Sequence, residues 1–456
     1  SIPQPSGGHG EPRRTQPCAC ADLTAKMGCS SSSGPAKRDE KPLKAENITA
    51  FIKRYHDQDV KEANGNESAA RYLSITSLSD ETWTLEISDE ECEKVQAECA
   101  EAANLGNITM SKLISDRIPV GRIFLRGCKT EEDPDRLGGF QEKSRSKTSL
   151  GDDVADDNSC LVAAGLGGTC RKGLKPQSPN QDAYVICRVD GAFSIYGVFD
   201  GHGEYGHCVA EYANDLLPKM LLRDQRLKSD MSEKREMMLT EAFKNTQSYI
   251  RSATLMGNLR GDFSGTTSTV VVHDHKYQTL TIAHVGDSTA VLGRSLLGND
   301  KLMAVELTQD HKPQLNQERL RIEHGGGMVR RDGPTFRVYA RGGKYPGLNM
   351  SRCLGDVAAH ENAGLSAVPD VLEHEVGSSD KILLVCSDGV WTFIDPQEAI
   401  DIVSEFGEDD ALKAAEALAT KAWDKWMVKE NGNAVDDITV IVVYLQHHMA
   451  ESTAFL

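Results

Sequence analysis

Beyond about residue 160 the chain alternates between short apolar runs and longer amphipathic stretches. AYVICRV (183–189), SIYGVFD (194–200), TTSTVVVH (266–273), TLTIAHVGDS (279–288), KILLVCSD (381–388) and ITVIVVYL (438–445) have the length and the β-branched content of strands. Several are apolar at consecutive positions, so both of their faces must be covered. Between them, SEKREMMLTEAFKNTQSYIRSA places Met238, Ala242, Thr246 and Tyr249 on one stripe of a helix. Asp395-Pro396-Gln397-Glu398 opens a second helix, with Asp395 as N-cap, Pro396 in the first turn and Glu398 as the reciprocal partner. The strands come in clusters rather than in strict strand–helix alternation. That pattern predicts an α+β domain of antiparallel sheets flanked by helices.

The N-terminal third reads differently. Residues 1–46 are rich in Ser, Gly, Pro, Lys and Arg, show no apolar periodicity and are expected to be a disordered tail. Within them, Met27-Gly28-Cys29-Ser30-Ser31-Ser32 fits the pattern for N-myristoylation, and Cys29 could carry a second acyl chain. The signal operates only if translation begins at Met27, and the protein would then attach peripherally to a membrane. Residues 47–154 form an extension of unknown role. In it, Ile87-Ser88-Asp89-Glu90 leads into a helix ending near Gly106, and Ile118 to Leu125 has the pattern of a strand. Residues 131–159 are polar and read as a linker or a long surface loop.

Composition narrows the functional classes. No run of about 18 apolar residues exists, so a membrane-spanning helix is not expected. The formal charge of −17 disfavours bulk binding to nucleic acid, which rewards phosphate-neutralising cations. The 12 cysteines contain no CxxC pair, so zinc-finger spacing is missing. Cys187, Cys208 and Cys386 sit among apolar residues and read as buried, reduced thiols of a cytoplasmic protein that needs no disulfides.

The most informative feature is where the aspartates fall. Asp200 follows IYGVF, Asp287 follows IAHVG, Asp388 follows ILLVCS, Asp436 precedes ITVIVV and Asp182 precedes AYVIC. Asp-Gly after a strand is ordinarily only a turn. Five such positions in one domain suggest instead carboxylates projected from rigid strand tips toward a common point. Carboxylates gathered in this way repel one another unless cations lie between them, and oxygen ligands alone favour Mg²⁺ or Mn²⁺ over zinc.

The same residues carry a family likeness. GVFDGHGEYG (197–206) resembles the metal-binding signature of the type 2C protein phosphatases, the metal-dependent serine/threonine phosphatases. PNQDAYV, SGTTSTVVV, AHVGDSTAVL, LTQDHKP, EHGGGMV, LNMSRCLGD, AVPDV, VCSDGVW and DDITVIVV continue the likeness in order, over about residues 155–446. The resemblance implies a catalytic domain spanning 155–448, folded as a four-layer αββα sandwich of two antiparallel sheets with helices outside and a two-metal site at one end. It implies that Asp200 bridges two Mn²⁺ or Mg²⁺ ions and that the Gly201 carbonyl ligates one of them. Asp388 and Asp436 complete the set, and Asp182 either ligates or supports a ligand. Asp436 rather than Asp437 matches the ligand position, because it stands two residues before Ile438. His202 becomes the general acid, and Arg171 the contact for the substrate phosphate, with Lys172 and Lys175 as rivals. The implied substrates are phosphorylated proteins, and a monomer is expected.

Two departures stand out. The acidic pair of many members appears here as Gln181-Asp182, which leaves the core site intact. Thr392 stands where many members carry an Asp that helps Asp287 and Asp388 hold a third metal, so a third ion is expected to bind weakly or not at all. Thr392 is also the single sequence feature favouring the rival reading, a catalytically weak or inactive pseudophosphatase acting as a scaffold. Phosphohydrolases of the haloacid dehalogenase type need Asp-x-Asp after a strand, which neither Asp200-Gly201-His202 nor Asp388-Gly389-Val390 supplies.

Overall fold

A computed structural model describes residues 88–116, 123–127, 143, 161–175, 179–229, 231–296 and 301–445. All of them belong to the compact unit Lys41–Leu456. The expected tail, its Met27-Gly28 motif and nearly all of the polar stretch 131–159 lie outside the described residues.

In chain order, α1 (Asp89–Gly106) and α2 (Met110–Ser115) precede β1 (Ile123–Gly127). Then come β2 (Leu166–Arg171), β3 (Ala183–Val189), β4 (Phe193–Phe199) and the short β5 (Gly201–His202). Two long helices follow, α3 (Gly206–Arg223) and α4 (Ser232–Leu255). The next strands are β6 (Gly265–Thr266), β7 (Ser268–Asp274), β8 (Thr279–Val285), β9 (Thr289–Ser295) and β10 (Leu302–Glu306). A smaller lobe holds α5 (Asn316–His324), β11 (Gly327–Asp332), β12 (Thr335–Ala340), β13 (Pro346–Leu348), β14 (Leu354–Gly355) and α6 (Val357–Asn362). The chain closes with β15 (Asp370–Glu375), β16 (Asp380–Cys386), α7 (Asp388–Trp391), α8 (Pro396–Ser404), α9 (Ala411–Lys429) and β17 (Ile438–Tyr444).

Two antiparallel sheets carry the domain, a six-stranded one in the order β1-β3-β4-β7-β8-β15 and a five-stranded one in the order β10-β9-β16-β17-β2. Their packing is visible at two adjacent glycines. A Cβ on Gly168 would lie 2.9 Å from Ile186 of β3 in the facing sheet, while one on Gly167 would lie 2.1 Å from the Ala411 carbonyl at the start of α9. Neighbouring strand residues point to opposite faces, so β2 is pressed between the other sheet and a helix. Helices α3 and α4 cover the outer face of the six-stranded sheet, and α8 and α9 cover the other. Ile382, Leu384, Val440 and Val442 fill the outer interface with Ala415, Leu418 and Ala422 of α9. This is the four-layer sandwich expected from the sequence, with its doubly apolar strands covered on both sides.

The helix expected at 88–106 forms, with the Ser88 side chain accepting from the Glu91 amide at 3.2 Å. It packs on α4, where Glu98 accepts from Ser248 at 2.8 Å and Ser252 at 2.5 Å, and Glu91 pairs with Arg251 at 2.6 Å. Met238, Ala242, Thr246 and Tyr249 are all buried along α4. Asp395 caps α8 through the Glu398 amide, with Pro396 in the first turn. The strand expected from Ile118 to Leu125 is described over Ile123–Gly127, antiparallel to β3.

One expectation is overturned. Cys208 is disulfide-bonded rather than a free thiol, and its partner lies outside the described residues, whose other cysteines are all free. Apolar neighbours identify a buried sulfur but do not distinguish a thiol from half of a cystine. Cys187 and Cys386 are free and buried as expected, and burial pushes the Cys187 thiol up to about 12.

Candidate metal centre and active site

Each of the five aspartates stands at the end of a buried strand, and the two sheets present them at one end of the sandwich. Ala183 pairs with Phe199, which sets Asp182 and Asp200 side by side at the tips of β3 and β4. The tip of β4 is pinned to the neighbouring strand. The Thr267 amide donates to the Asp200 carbonyl at 2.8 Å, and the Asp200 amide donates to Thr267 Oγ1 at 3.0 Å. In the opposite sheet Cys386 pairs with Val440, so Asp388 at the end of β16 lies beside the start of β17 and Asp436. Asp287 follows β8 through Gly286, whose φ of +98° an L side chain rarely adopts.

Electrostatics show that these groups share one space. The carboxyls of Asp388 and Asp200 act on one another electrostatically. Asp200 is held well above the ordinary carboxylate range by burial, then by Asp182, Asp388, Asp436 and Asp287. Asp388 is raised by burial and by Asp436 and Asp287. Asp182 is pushed up to about 7, chiefly by burial and Asp437, although Thr439 and Ser387 donate to its Oδ2 at 2.6 Å and 2.8 Å. Its Oδ1, like Asp287 Oδ1, is buried without a hydrogen-bond partner. Crowded carboxylates with orphaned oxygens are the arrangement that a hard divalent cation satisfies. The residues present therefore fit such an ion.

Two ammonium groups enter the cluster. Lys175 Nζ pairs with Asp436, and Lys312 Nζ with Asp287 Oδ2 at 2.5 Å. Asp437 faces another task, because its Oδ1 takes the Gly173 amide at 2.6 Å and its Oδ2 the Gln181 amide at 2.8 Å. It ties the loop before β3 to the start of β17, while Asp436 interacts with Asp200 and Asp388. Gly201 is packed closely enough that a Cβ would lie 2.5 Å from the Gly206 carbonyl and 2.6 Å from that of Gln181.

His202 lies beside the cluster. Its Nε2 is 2.5 Å from Asp356 Oδ2. Burial works against the charged imidazole, but the Asp356 carboxylate overcomes it and holds His202 above its ordinary value. Asp356 adopts φ +41° at the start of α6, and a Cβ on Gly265 would lie 2.3 Å from its Oδ2 and 2.7 Å from His202 Nε2. Only glycine fits at that point of β6.

Of the three basic candidates, Arg171 is not brought to the carboxylates. Its guanidinium reaches Thr169 Oγ1 at 3.0 Å and Glu416 of α9 at 3.3 Å, on the face of β2 that packs against that helix. Lys172 Nζ donates to the Lys175 carbonyl at 3.0 Å. Thr392 ends α7, its amide donating to the Asp388 carbonyl at 2.9 Å. Asp356 and Lys312 were not singled out from sequence. The available signals were the Asp that ends LNMSRCLGD and the Lys in LTQDHKP, polar residues inside segments already matched.

The family model described as "Protein phosphatase 2C" matches residues 174–429. "Probable protein phosphatase 2C 73" of Arabidopsis thaliana is 34% identical over 355 residues, covering 71% of this chain and 92% of that protein. "Probable protein phosphatase 2C 48" of Oryza sativa subsp. japonica is 35% identical over 338 residues, covering 68% and 93%. Among solved structures, the serine-threonine phosphatase 2C from Toxoplasma gondii shares the fold at a TM-score of 0.54 and 20% identity, covering 71% of this chain and 99% of that one. With the ordered motifs and the carboxylate cluster in place, these matches establish that the chain belongs to the protein phosphatase 2C family.

Proposed function

We propose that the protein is a metal-dependent serine/threonine phosphatase that hydrolyses phosphoserine and phosphothreonine in protein substrates. The observation that carries this reading is the meeting of five aspartates from separate strand tips, two of them, Asp182 and Asp287, buried with a partnerless oxygen. Asp200, Asp388, Asp436 and the Gly201 carbonyl would hold two Mn²⁺ or Mg²⁺ ions. Asp182, fixed by Ser387 and Thr439, completes or supports the set. Such ions, when bound, acidify and orient water and offset the charge of a phosphoester.

This chain's own groups supply the rest. The departing serine or threonine oxygen needs a proton, and His202, whose hold on its proton Asp356 strengthens, is the donor. Of the three basic candidates Lys175 is the one that pairs with an aspartate of the cluster, so on placement it is better set than Arg171 to meet the substrate phosphate. Burial opposes its charge, but Asp436, Asp437 and Asp200 keep it protonated. The scaffold alternative retains one argument, Thr392. Titration calorimetry with Mn²⁺, run beside hydrolysis of a phosphothreonine peptide, separates the two readings. A phosphatase binds the ion and turns over, whereas a protein that does neither refutes the proposal.

A further inference from the structure

Next to the oxygen-only cluster lies a group of different chemistry. His202 Nε2, Cys353 Sγ and an Asp356 carboxylate oxygen all fall within 4.8 Å of one another. We propose that His202, Cys353 and Asp356 form an inhibitory site for a soft divalent cation, Zn²⁺ above all, distinct from the carboxylate centre. The inhibitory role rests on His202 being the proton donor of the proposed phosphatase. The binding itself does not.

The donor set is that of a zinc site, with imidazole nitrogen, thiolate sulfur and carboxylate oxygen, leaving a fourth position for water. Tetrahedral bonds of about 2.0–2.3 Å put ligand atoms roughly 3.3–3.8 Å apart. Cys353 Sγ is already 3.4 Å from Asp356 Oδ2. His202 Nε2, at 2.5 Å from the same oxygen, needs to open by about 1 Å for an ion to enter. Cys353 and Asp356 are buried, at 0% and 2% exposure, whereas the His202 side chain keeps 19% and gives the site its open side.

Softness separates this site from its neighbour. The five aspartates offer only oxygen, which suits Mg²⁺ and Mn²⁺, while a thiolate beside an imidazole selects zinc. Cys353 also belongs to the apolar core of the small lobe, with Ile322, Val338 and Ala359. A thiol placed there for packing alone has no need to direct its sulfur at a carboxylate. Burial and Asp356 hold that thiol well above its ordinary value, so a cation that binds there must displace its proton. On binding, the thiol proton and the proton between His202 and Asp356 are released to solvent, and Nε2 becomes a ligand. A nitrogen bonded to zinc has no proton to give, so turnover would stop while the carboxylate centre keeps its own ions.

The test uses the full chain saturated with Mn²⁺. Co²⁺ is then added as a spectroscopic stand-in for zinc. The expected result is a thiolate-to-cobalt charge-transfer band that equimolar Zn²⁺ displaces. It should be absent in Cys353→Ala and in the nearly isosteric Cys353→Ser, and retained in Cys187→Ala. This readout needs no catalysis, so a band without any phosphatase activity would sink the proposed function and leave the site standing. In parallel, Zn²⁺ should inhibit phosphopeptide hydrolysis. Cys353→Ala should raise the half-inhibitory concentration at least about tenfold, a loss already typical of removing a residue that merely supports a ligand, with the zinc-free rate unchanged. No band in the wild-type chain, or a band surviving both Cys353 variants, overturns the proposal. So does equal zinc inhibition with and without Cys353.

Discussion

His202 Nε2 and Asp356 Oδ2 face each other at 2.5 Å, joining the short β5 to the N-cap of α6 in the small lobe. The carboxylate raises the affinity of the imidazole for its proton, so it sets the pH at which a proton donor fails. Activity that needs protonated His202 declines as pH rises through that value. Asp356→Asn should lower kcat by about tenfold to a hundredfold, within the span of a general acid's contribution, and move the basic limb of the pH–rate profile to lower pH. A profile unchanged in position would show that Asp356 merely supports the fold.

The carboxylate cluster makes the metal-free protein unusually sensitive to pH. Asp182 titrates ordinarily near 3.8 and is raised to about 7 in the folded chain, so the folded state binds its proton more tightly than the unfolded one. That contribution is complete below the ordinary value and is lost as pH rises through about 7. In EDTA, the thermal midpoint of the wild type should therefore drop relative to Asp182→Asn between about pH 4 and pH 7. Mn²⁺ at 100 times its Kd should restore about 2.7 kcal/mol at neutral pH. Parallel curves for the two proteins in EDTA would reject this reading.

Asp287 Oδ2 is taken by Lys312, and Thr392, one turn after Asp388, adds no charge. Calorimetry should count two Mn²⁺ ions per wild-type chain. Thr392→Asp combined with Lys312→Ala should add a third, and Thr392→Asp alone should raise activity at low metal concentration. Three ions bound by the wild type would contradict the account.

Stability of the small lobe turns on Glu318. Its carboxylate is buried and is gripped by Arg352 at 2.6 Å, Ser351 at 2.5 Å and Arg321 at 2.7 Å. Burial alone would raise it, but these partners hold it down to about 2. The contribution is thus present above the ordinary value of 4.5 and is lost as pH falls toward about 2. Glu318→Gln should cost about 3 kcal/mol in denaturant unfolding at neutral pH, because it removes the buried charge that Arg321 and Arg352 share. A loss below about 1 kcal/mol, the range of exposed pairs, would show that the lobe does not depend on it.

Much of the site was legible because it sits on strands. The runs ending at Asp200, Asp287 and Asp388 are apolar on both faces, and such strands can only be central, which fixes their tips. Asp356 and Lys312 were harder to see. They lie in loops between short, half-exposed elements, and only the fold brings them to His202 and Asp287. Arg171 shows the opposite limit. Its place in the sequence suited a phosphate contact, but the alternation of β2 turns it toward Glu416. Cys208 carried no signal of its disulfide, since apolar neighbours mark a buried sulfur whether it is a thiol or half of a cystine.

Phosphate release from a phosphothreonine peptide, measured for the wild type and for Asp388→Asn in Mn²⁺ and then in EDTA, tests the central claim most directly. The account predicts turnover by the wild type in Mn²⁺ alone, reduced to background by the chelator or by the substitution. Turnover that persists in Asp388→Asn, or in EDTA, would contradict it.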